Sequence, residues 1–316
     1  MPAVPPRRLI PRDAPEVIVR ARGRALRLTH LDKVFWPELG LTKGDLLQYY
    51  VEVAPVLLPH LRDRAMVMRR YPDGIAGASF FMKRAPRPRP PWIATCPIRH
   101  GRAGVIDFPM IQDLPALLWV VNLGCIDLNP WYARCDAPDR PDYLHFDLDP
   151  GPRTSFDQMR EAALALHEAL DALAMPAYVK TTGSRGLHVT VPIVRGPTQH
   201  QVWVFAKALS VELARRHPRL LTAVYDRARR PPDRIHVDYN QNAWGRTLAS
   251  VYSVRPHPRA AVSTPVTWPE VRRGFRLEDF RIDNVPARVR RRGDLWRGVL
   301  AARGRYDLGR FVSGSS

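Results

Sequence analysis

Cysteine is scarce in this sequence: Cys96, Cys125 and Cys135 are the three present. None belongs to a CxxC pair, so no disulfide framework is expected and the chain reads as one suited to a reducing cytoplasm. A zinc set drawn from Cys96, His100, Cys125 and Cys135 is poorly spaced for tetrahedral ligation. Long apolar runs are also missing. No stretch of about 18 apolar residues exists to cross a bilayer, and MPAVPPRRLIPRD lacks the apolar segment of a secretory signal. Acidic residues are in deficit, 30 against 49 basic ones, which leaves a net charge of +19. Lysine accounts for only five of the 49 (Lys33, Lys43, Lys83, Lys180, Lys207), and arginine for the other 44. The surplus points to a polyanionic partner, most economically nucleic acid.

What is present is a chain of 316 residues, 45% hydrophobic, enough for one large domain or two small ones around a substantial core. Its 32 prolines cluster between candidate elements. Residues 1–25 read as a mobile basic arm, 26–300 as one domain with its centre at about 143–260, and 301–316 as a tail. KRAPRPRPPW should be extended with little regular structure, because each proline removes a backbone donor. Upstream, the pattern predicts a helix from Lys43 to Leu58, strands at Ala65–Tyr71 and Val105–Phe108, and a buried helix at Leu114–Leu123.

The stretch from Tyr143 is the most legible. Leu144, Phe146 and Leu148 alternate with His145, Asp147 and Asp149, a half-buried strand stopped by Pro150-Gly151. Thr154 or Ser155 caps a helix that runs to Leu173. Strands follow at Ala177–Thr181 and Leu187–Val194, around the tight loop TTGSRG. Pro197-Thr198 opens a helix over 198–216, and Arg234–Tyr239 returns as a strand. The order β-α-β-β-α-β is that of the ferredoxin-like or RNA-recognition fold, an α+β (mixed α/β) class.

Asp147 and Asp149 lie two apart on one strand and so project from one face. Like charges that close repel, and a divalent cation between them resolves the conflict. Alternation puts Asp238 and His188 on open faces of their own strands. In this topology both helices cover one side of the sheet, so Asp147, Asp149, His188 and Asp238 should gather on the other. Three carboxylates in a strongly basic protein suit two-metal phosphoryl transfer, with manganese or magnesium as the oxygen-liganded ions. The TTGSRG loop supplies backbone N–H groups, hydroxyls and Arg185 for phosphates. Arg255, read as part of another strand, could reach a triphosphate, and Phe80-Phe81 offers a platform for a base.

LDKVFWPELGLTKGDL, RRYPDG, SFFMKRAP, HFDLDPGP, TTGSRGLHV and HVDYNQN, in this order and spacing, resemble the polymerase domain of bacterial ligase D, in the archaeo-eukaryotic primase superfamily. The resemblance extends from about Leu28 to Leu300. It implies a template-directed nucleotidyltransferase at DNA breaks in non-homologous end joining, often favouring ribonucleotides and manganese. Asp147, Asp149 and Asp238 would hold two divalent ions. Arg69, Thr182, Arg185, His188 and Arg255 would meet the incoming nucleotide, and Phe80 or Phe81 would stack on the base or template. His30, Lys33 and Lys43 match a pocket for the 5′-phosphate across a gap, and Arg230 matches a residue that helps place the primer terminus. Asn129 stands where a histidine near the nucleotide is usual, Thr182 where a serine is, and His30 where an asparagine is. The implied partners are nucleoside triphosphates, DNA with 5′-phosphorylated gaps or broken ends, Ku and a ligase. No KxDG motif is present, so sealing is expected to fall to a separate protein. A cytoplasmic, nucleoid-associated location is expected, with no membrane partner.

Three other readings stay open on sequence. A non-catalytic recognition-motif module would explain the charge but not the carboxylates, and a DxD glycosyltransferase would explain the carboxylates but not the charge. A de novo primase would share the chemistry and differ in needing no gapped duplex.

Overall fold

In the computed structural model, residues 8–99, 101 and 104–312 are described. The first element is a hairpin. Val19, Leu26 and Leu28 turn inward between exposed neighbours, and Arg22 and Gly23 both take positive φ, 50° and 71°. That turn matches the twist of the strands it joins, β1 (Glu16–Ala21) and β2 (Arg24–Thr29). A ribbon of β3 (Val34–Trp36) and β4 (Leu41–Thr42) leads into α1 (Lys43–Leu61), whose N-terminus is closed by a reciprocal box between Thr42 and Asp45. Then come β5 (Met66–Arg70) and β6 (Phe80–Met82), the ribbon of β7 (Thr95–Arg99) and β8 (Val105–Pro109), α2 (Leu114–Asn122) and β9 (Cys125–Pro130). β5 is the central strand of a small sheet, between β6 and β9.

The second half is built on β10 (Tyr143–Pro150), α3 (Phe156–Ala172), β11 (Tyr178–Thr181), β12 (Leu187–Pro192), α4 (Gln199–Arg216), β13 (Leu221–Thr222) and β14 (Ile235–Asp238). β15 (Pro265–Val266) adds to one edge. The sheet runs β13-β14-β10-β12-β11-β15. Its inner four strands are antiparallel neighbours in the ferredoxin-like order. Ser155, not Thr154, caps α3, and Thr198 caps α4, each in a reciprocal box with a glutamine three residues on. Met159, Ala163, Leu166 and Leu170 of α3 and Val202, Ala206 and Leu213 of α4 are buried, as are Phe146, Leu148, Val189, Val191, Ile235 and Val237 of the sheet. The short helices α5 (Trp268–Arg273), α6 (Val285–Arg292), α7 (Arg297–Leu300) and α8 (Gly309–Val312) complete the chain.

One apolar cluster extends through both halves, from Ile10 to Leu308. A buried ion pair reinforces the joint. Arg64, just before β5, donates from Nη2 to both carboxylate oxygens of Asp142 at 2.7 and 2.8 Å and from Nη1 to the Tyr132 carbonyl at 2.7 Å.

Four expectations are corrected. The arm expected over 1–25 gives way to packed chain: Ile10 is fully buried and 16–21 is strand, while residues 1–7 lie outside the described residues. The tail expected over 301–316 is packed at Tyr306, which bridges to Ile193, and at the buried Leu308; residues 313–316 lie outside the described residues. Cys96 and Cys135, 39 residues apart, are joined as a disulfide, and Cys125 is buried in the main apolar cluster. That removes the zinc set, whose His100 is outside the described residues. Arg255 follows the isolated Val254–Val262 bridge and lies in no named strand.

Candidate active site

The register of the sheet builds the site. Asp147 on β10 stands directly opposite Asp238 on β14 and His188 on β12. Cross-strand neighbours share a face, so the carboxylates of Asp147, Asp149 and Asp238 converge, each offering an oxygen within 4.8 Å of the others. Hydrogen bonds orient Asp238: Oδ1 accepts from the Asn240 amide at 2.8 Å and Oδ2 from Gln241 Nε2 at 2.9 Å. Asp147 Oδ1 is buried and accepts no hydrogen bond, although His188 Nε2 lies 3.2 Å away. Burial, then the charge of Asp238, pushes the Asp147 carboxyl up to about 7. Burial, then Asp147 and Asp238, raises Asp149 to about 7 as well. A buried acceptor without a donor amid three repelling carboxylates is what a divalent cation relieves, and an all-oxygen set suits manganese or magnesium. The residues fit such an ion.

Behind Asp147 lies Lys180, only 1% exposed. Its ammonium meets His188 Nδ1 at 2.6 Å, the Ala249 carbonyl at 3.0 Å and Ser263 Oγ at 2.5 Å. Burial, then Arg255, drives Lys180 well below its ordinary value, and burial, then Lys180, does the same to His188. The imidazole is therefore neutral, with its Nε2 turned to Asp147. Lys180 had no role in the sequence reading. Alternation along β11 puts it opposite His188, which was the available signal.

A cleft of about 530 Å³ opens between the sheet and the upstream lobe. It brings together Asp147, Asp149, Arg69, Phe81, Asn129, Thr182, Arg185, His188 and Arg255 of the expected residues. Phe81 is 63% exposed, with the Arg69 guanidinium 5.3 Å from its ring centroid. Phe80 is not in the lining; Arg70 lies over its ring. Thr182 Oγ1 accepts from the amides of Ser184 and Gly186 at 3.1 and 3.2 Å, which shapes the loop. Gly183, at φ +70°, lets Arg255 cross: a Cβ there would stand 2.4 Å from Arg255 Cγ. Asp127, Gln241 and Arg246 also line the cleft and were missed. Asp127 lies two residues before Asn129 on β9, and its Oδ2 is 3.7 Å from Arg255 Nε.

Asp238 opens onto an adjoining pocket of about 400 Å³ shared with Tyr225, Arg227, Arg230 and Arg246. Arg230 donates to the carbonyls of Val224 and Tyr225 and so braces its own loop. His30, Lys33 and Lys43 do not line either pocket. Lys43, at the first turn of α1, is buried and donates to the Thr29 carbonyl at 2.7 Å. Burial, then the charges of Lys33 and Arg70, lowers its ammonium to about 8. Lys33 pairs with Asp73 at 2.5 Å, and His30 sits at φ 56° with Nδ1 3.2 Å from Thr29 Oγ1. Arg70 and Asp73 were not foreseen in this cluster.

An antiparallel ferredoxin-like sheet with three carboxylates on the face away from its helices, roofed by a basic lobe, is the arrangement of a primase-polymerase, a class of nucleotidyltransferase. The model of the LigD primase-polymerase domain matches residues 42–296. LigD of Mycolicibacterium smegmatis, a multifunctional non-homologous end joining protein, is 31% identical over 276 residues, 87% of this chain and 36% of that protein. LigD of Pseudomonas aeruginosa is 32% identical over 290 residues, 91% of this chain and 34% of that protein. Among solved structures, the polymerase domain of Mycobacterium tuberculosis ligase D in complex with DNA superposes with a TM-score of 0.83 at 30% identity, over 88% of this chain and 98% of that one. The chain belongs to the LigD primase-polymerase domain family. It spans roughly a third of the length of these curated relatives.

Proposed function

We propose that the chain extends the 3′ end of a DNA primer, template-directed, at 5′-phosphorylated gaps and broken ends in non-homologous end joining, and that it accepts ribonucleotides. The observation that carries this reading is the convergence of three carboxylates around the unpartnered Asp147 Oδ1. Asp147, Asp149 and Asp238 would hold two divalent ions, manganese or magnesium, which when bound supply charge neutralisation at the triphosphate and activation of the primer hydroxyl.

The remaining work falls to the chain's own groups. Arg69, Arg185 and Arg255 face one cleft and offset the negative charge of a triphosphate. The Thr182 hydroxyl keeps its proton for a phosphate oxygen, because its own oxygen is the acceptor for the loop amides. Phe81 presents an open ring to a base. Asn129 spends Nδ2 on the Asp127 carbonyl at 3.1 Å, which leaves Oδ1 to accept from a sugar hydroxyl. His188, held neutral by Lys180, lies with its Nε2 3.2 Å from Asp147 Oδ1 and so adds no second positive charge beside the carboxylates. Arg230 would steady the loop that receives the primer terminus, and His30, Lys33 and Lys43 would hold the 5′-phosphate on the far side of the gap. Phe80, beneath Arg70, would support the template side. Ku and a ligase are the proposed partners, at the nucleoid in the cytoplasm; among the described residues no helix is long and apolar enough to cross a membrane.

The test is primer extension with ribo- and deoxynucleotides, in manganese and in magnesium, on gaps with and without a 5′-phosphate. Asp149→Ala should abolish extension and leave DNA affinity, which rests on the basic surface, within about threefold. Full extension by that variant would defeat the assignment. Extension on a bare template without primer would make the chain a primase instead.

A further inference from the structure

His236 stands directly across the sheet from Asp149 and two residues before Asp238 on β14. Residues two apart on a strand and opposite one another on neighbouring strands share a face. Asp147, Asp149, His236 and Asp238 therefore occupy the four corners of one cross-strand rectangle. Three corners carry the carboxylates, and the fourth is an imidazole that is 3% exposed.

The ring is oriented as a ligand would be. Nδ1 faces the Thr222 carbonyl at 3.3 Å. A carbonyl oxygen only accepts, so the proton sits on Nδ1 and Nε2 keeps a bare lone pair. Metal-binding histidines characteristically donate their other N–H to such a carbonyl. Nε2 is buried and has no hydrogen-bond partner, and it lies 3.9 Å from Asp238 Oδ1. Two atoms bound to one ion, each roughly 2.1 Å from it, stand about 3 Å apart when adjacent and about 4 Å when opposite. The separation falls within that span. The other histidine of the site, His188, has its Nδ1 taken by Lys180 and makes no such arrangement.

We infer that His236 Nε2, which lies beside Asp238 and outside the three carboxylates that gather within 4.8 Å of one another, is a further ligand to the ion that Asp238 helps to hold. The inference rests on the carboxylates being a cation site, as proposed above. An imidazole nitrogen in place of one oxygen favours manganese, cobalt or zinc over magnesium, which prefers oxygen. The chain would then carry its metal preference in a residue outside the acidic triad.

Pulsed electron paramagnetic resonance of the full chain loaded with Mn²⁺ alone tests this directly. The wild type should show ¹⁴N modulation that becomes ¹⁵N modulation when histidine is ring-labelled. His236→Phe should lose it, with Mn²⁺ affinity falling at least tenfold and Mg²⁺ affinity changing less than threefold by calorimetry. Mn²⁺ bound at the carboxylates without histidine-nitrogen modulation in the wild type overturns the inference and leaves the cation site standing. Modulation that survives in His236→Phe and vanishes in His188→Gln assigns the nitrogen elsewhere and also overturns it. If Asp149→Asn binds Mn²⁺ as the wild type does, the cation site itself fails, and the inference with it. The wild-type spectrum decides even where a variant folds poorly.

Discussion

Replacing Asp149 by asparagine should make the metal-free protein more stable while removing its activity. In the folded chain, burial, then Asp147 and Asp238, raises the Asp149 carboxyl from 3.8 to about 7. The folded state thus holds a proton that the unfolded state has released between those two pH values. For a group whose folded value is raised, the contribution to stability is complete below about pH 4 and is lost as pH rises through about 7. At about 1.4 kcal/mol per tenfold change in proton affinity, the loss is on the order of 4 kcal/mol for one carboxyl. Asp147 is raised to a similar value by burial and then by Asp238, and because the two carboxyls are coupled the pair loses less than twice that. The measurement is urea denaturation in EDTA at pH 5 and pH 8, with and without excess Mn²⁺. At pH 5 the variant should exceed the parent by about 1–2 kcal/mol, and at pH 8 by about 4 kcal/mol. Mn²⁺ at a hundred times its dissociation constant should return about 2.7 kcal/mol to the parent and little to the variant, which closes most of the gap. A variant no more stable than the parent at pH 8 in EDTA, or a difference flat with pH, would refute the electrostatic account of the site.

Other expectations follow from the same structure. Lys43 is held near 8 by burial and then by Lys33 and Arg70, so it is charged at pH 7 and largely neutral at pH 9; the preference for a 5′-phosphorylated gap should fall about tenfold over that range by fluorescence titration, and Lys43→Arg should flatten the profile. Arg64→Ala leaves Asp142 buried without its main partner and should cost about 3–5 kcal/mol in chemical denaturation; a loss below 1 kcal/mol would show that the pair does not brace the two lobes. Gly183→Ala places a Cβ against Arg255 at a left-handed position. It should cost about 1–2 kcal/mol of stability and raise the KM for nucleotide at least tenfold, with kcat changed less.

The central sheet was legible because its physics is local. Period-two alternation set the faces of β10, β12 and β14, and short polar caps marked α3 and α4, so the three carboxylates could be placed together before any coordinates. Lys180 escaped notice because a lysine on a strand is ordinarily read as solvent-facing, and its burial depends on Ser263 and the Ala249 carbonyl, more than 60 residues away in sequence. The hairpin at 16–29 lay within a stretch whose proline and arginine content reads as unstructured, and its signal was three alternating apolar residues around Arg22-Gly23. The Cys96–Cys135 bond spans 39 residues and follows from the packing of β7 against the segment after β9, which no spacing rule encodes. His236 shares the alternation of Asp238 and so faces away from the core, but the carbonyl that fixes its ring belongs to β13, a two-residue strand with no periodicity to read.

β14 pairs with β10 along Asp147–Pro150 and is the last strand of the ferredoxin-like unit to be synthesised. A nascent chain that stops before Ile235 has β10 as a bare edge and two of the three clustered carboxylates. Cation capture then waits on insertion of a four-residue strand almost ninety positions downstream of Asp149. Ion binding should therefore favour closure of this edge during refolding, and removal of the ion should loosen β13 and β14 before any other part of the sheet, a difference that amide exchange on these two strands would register.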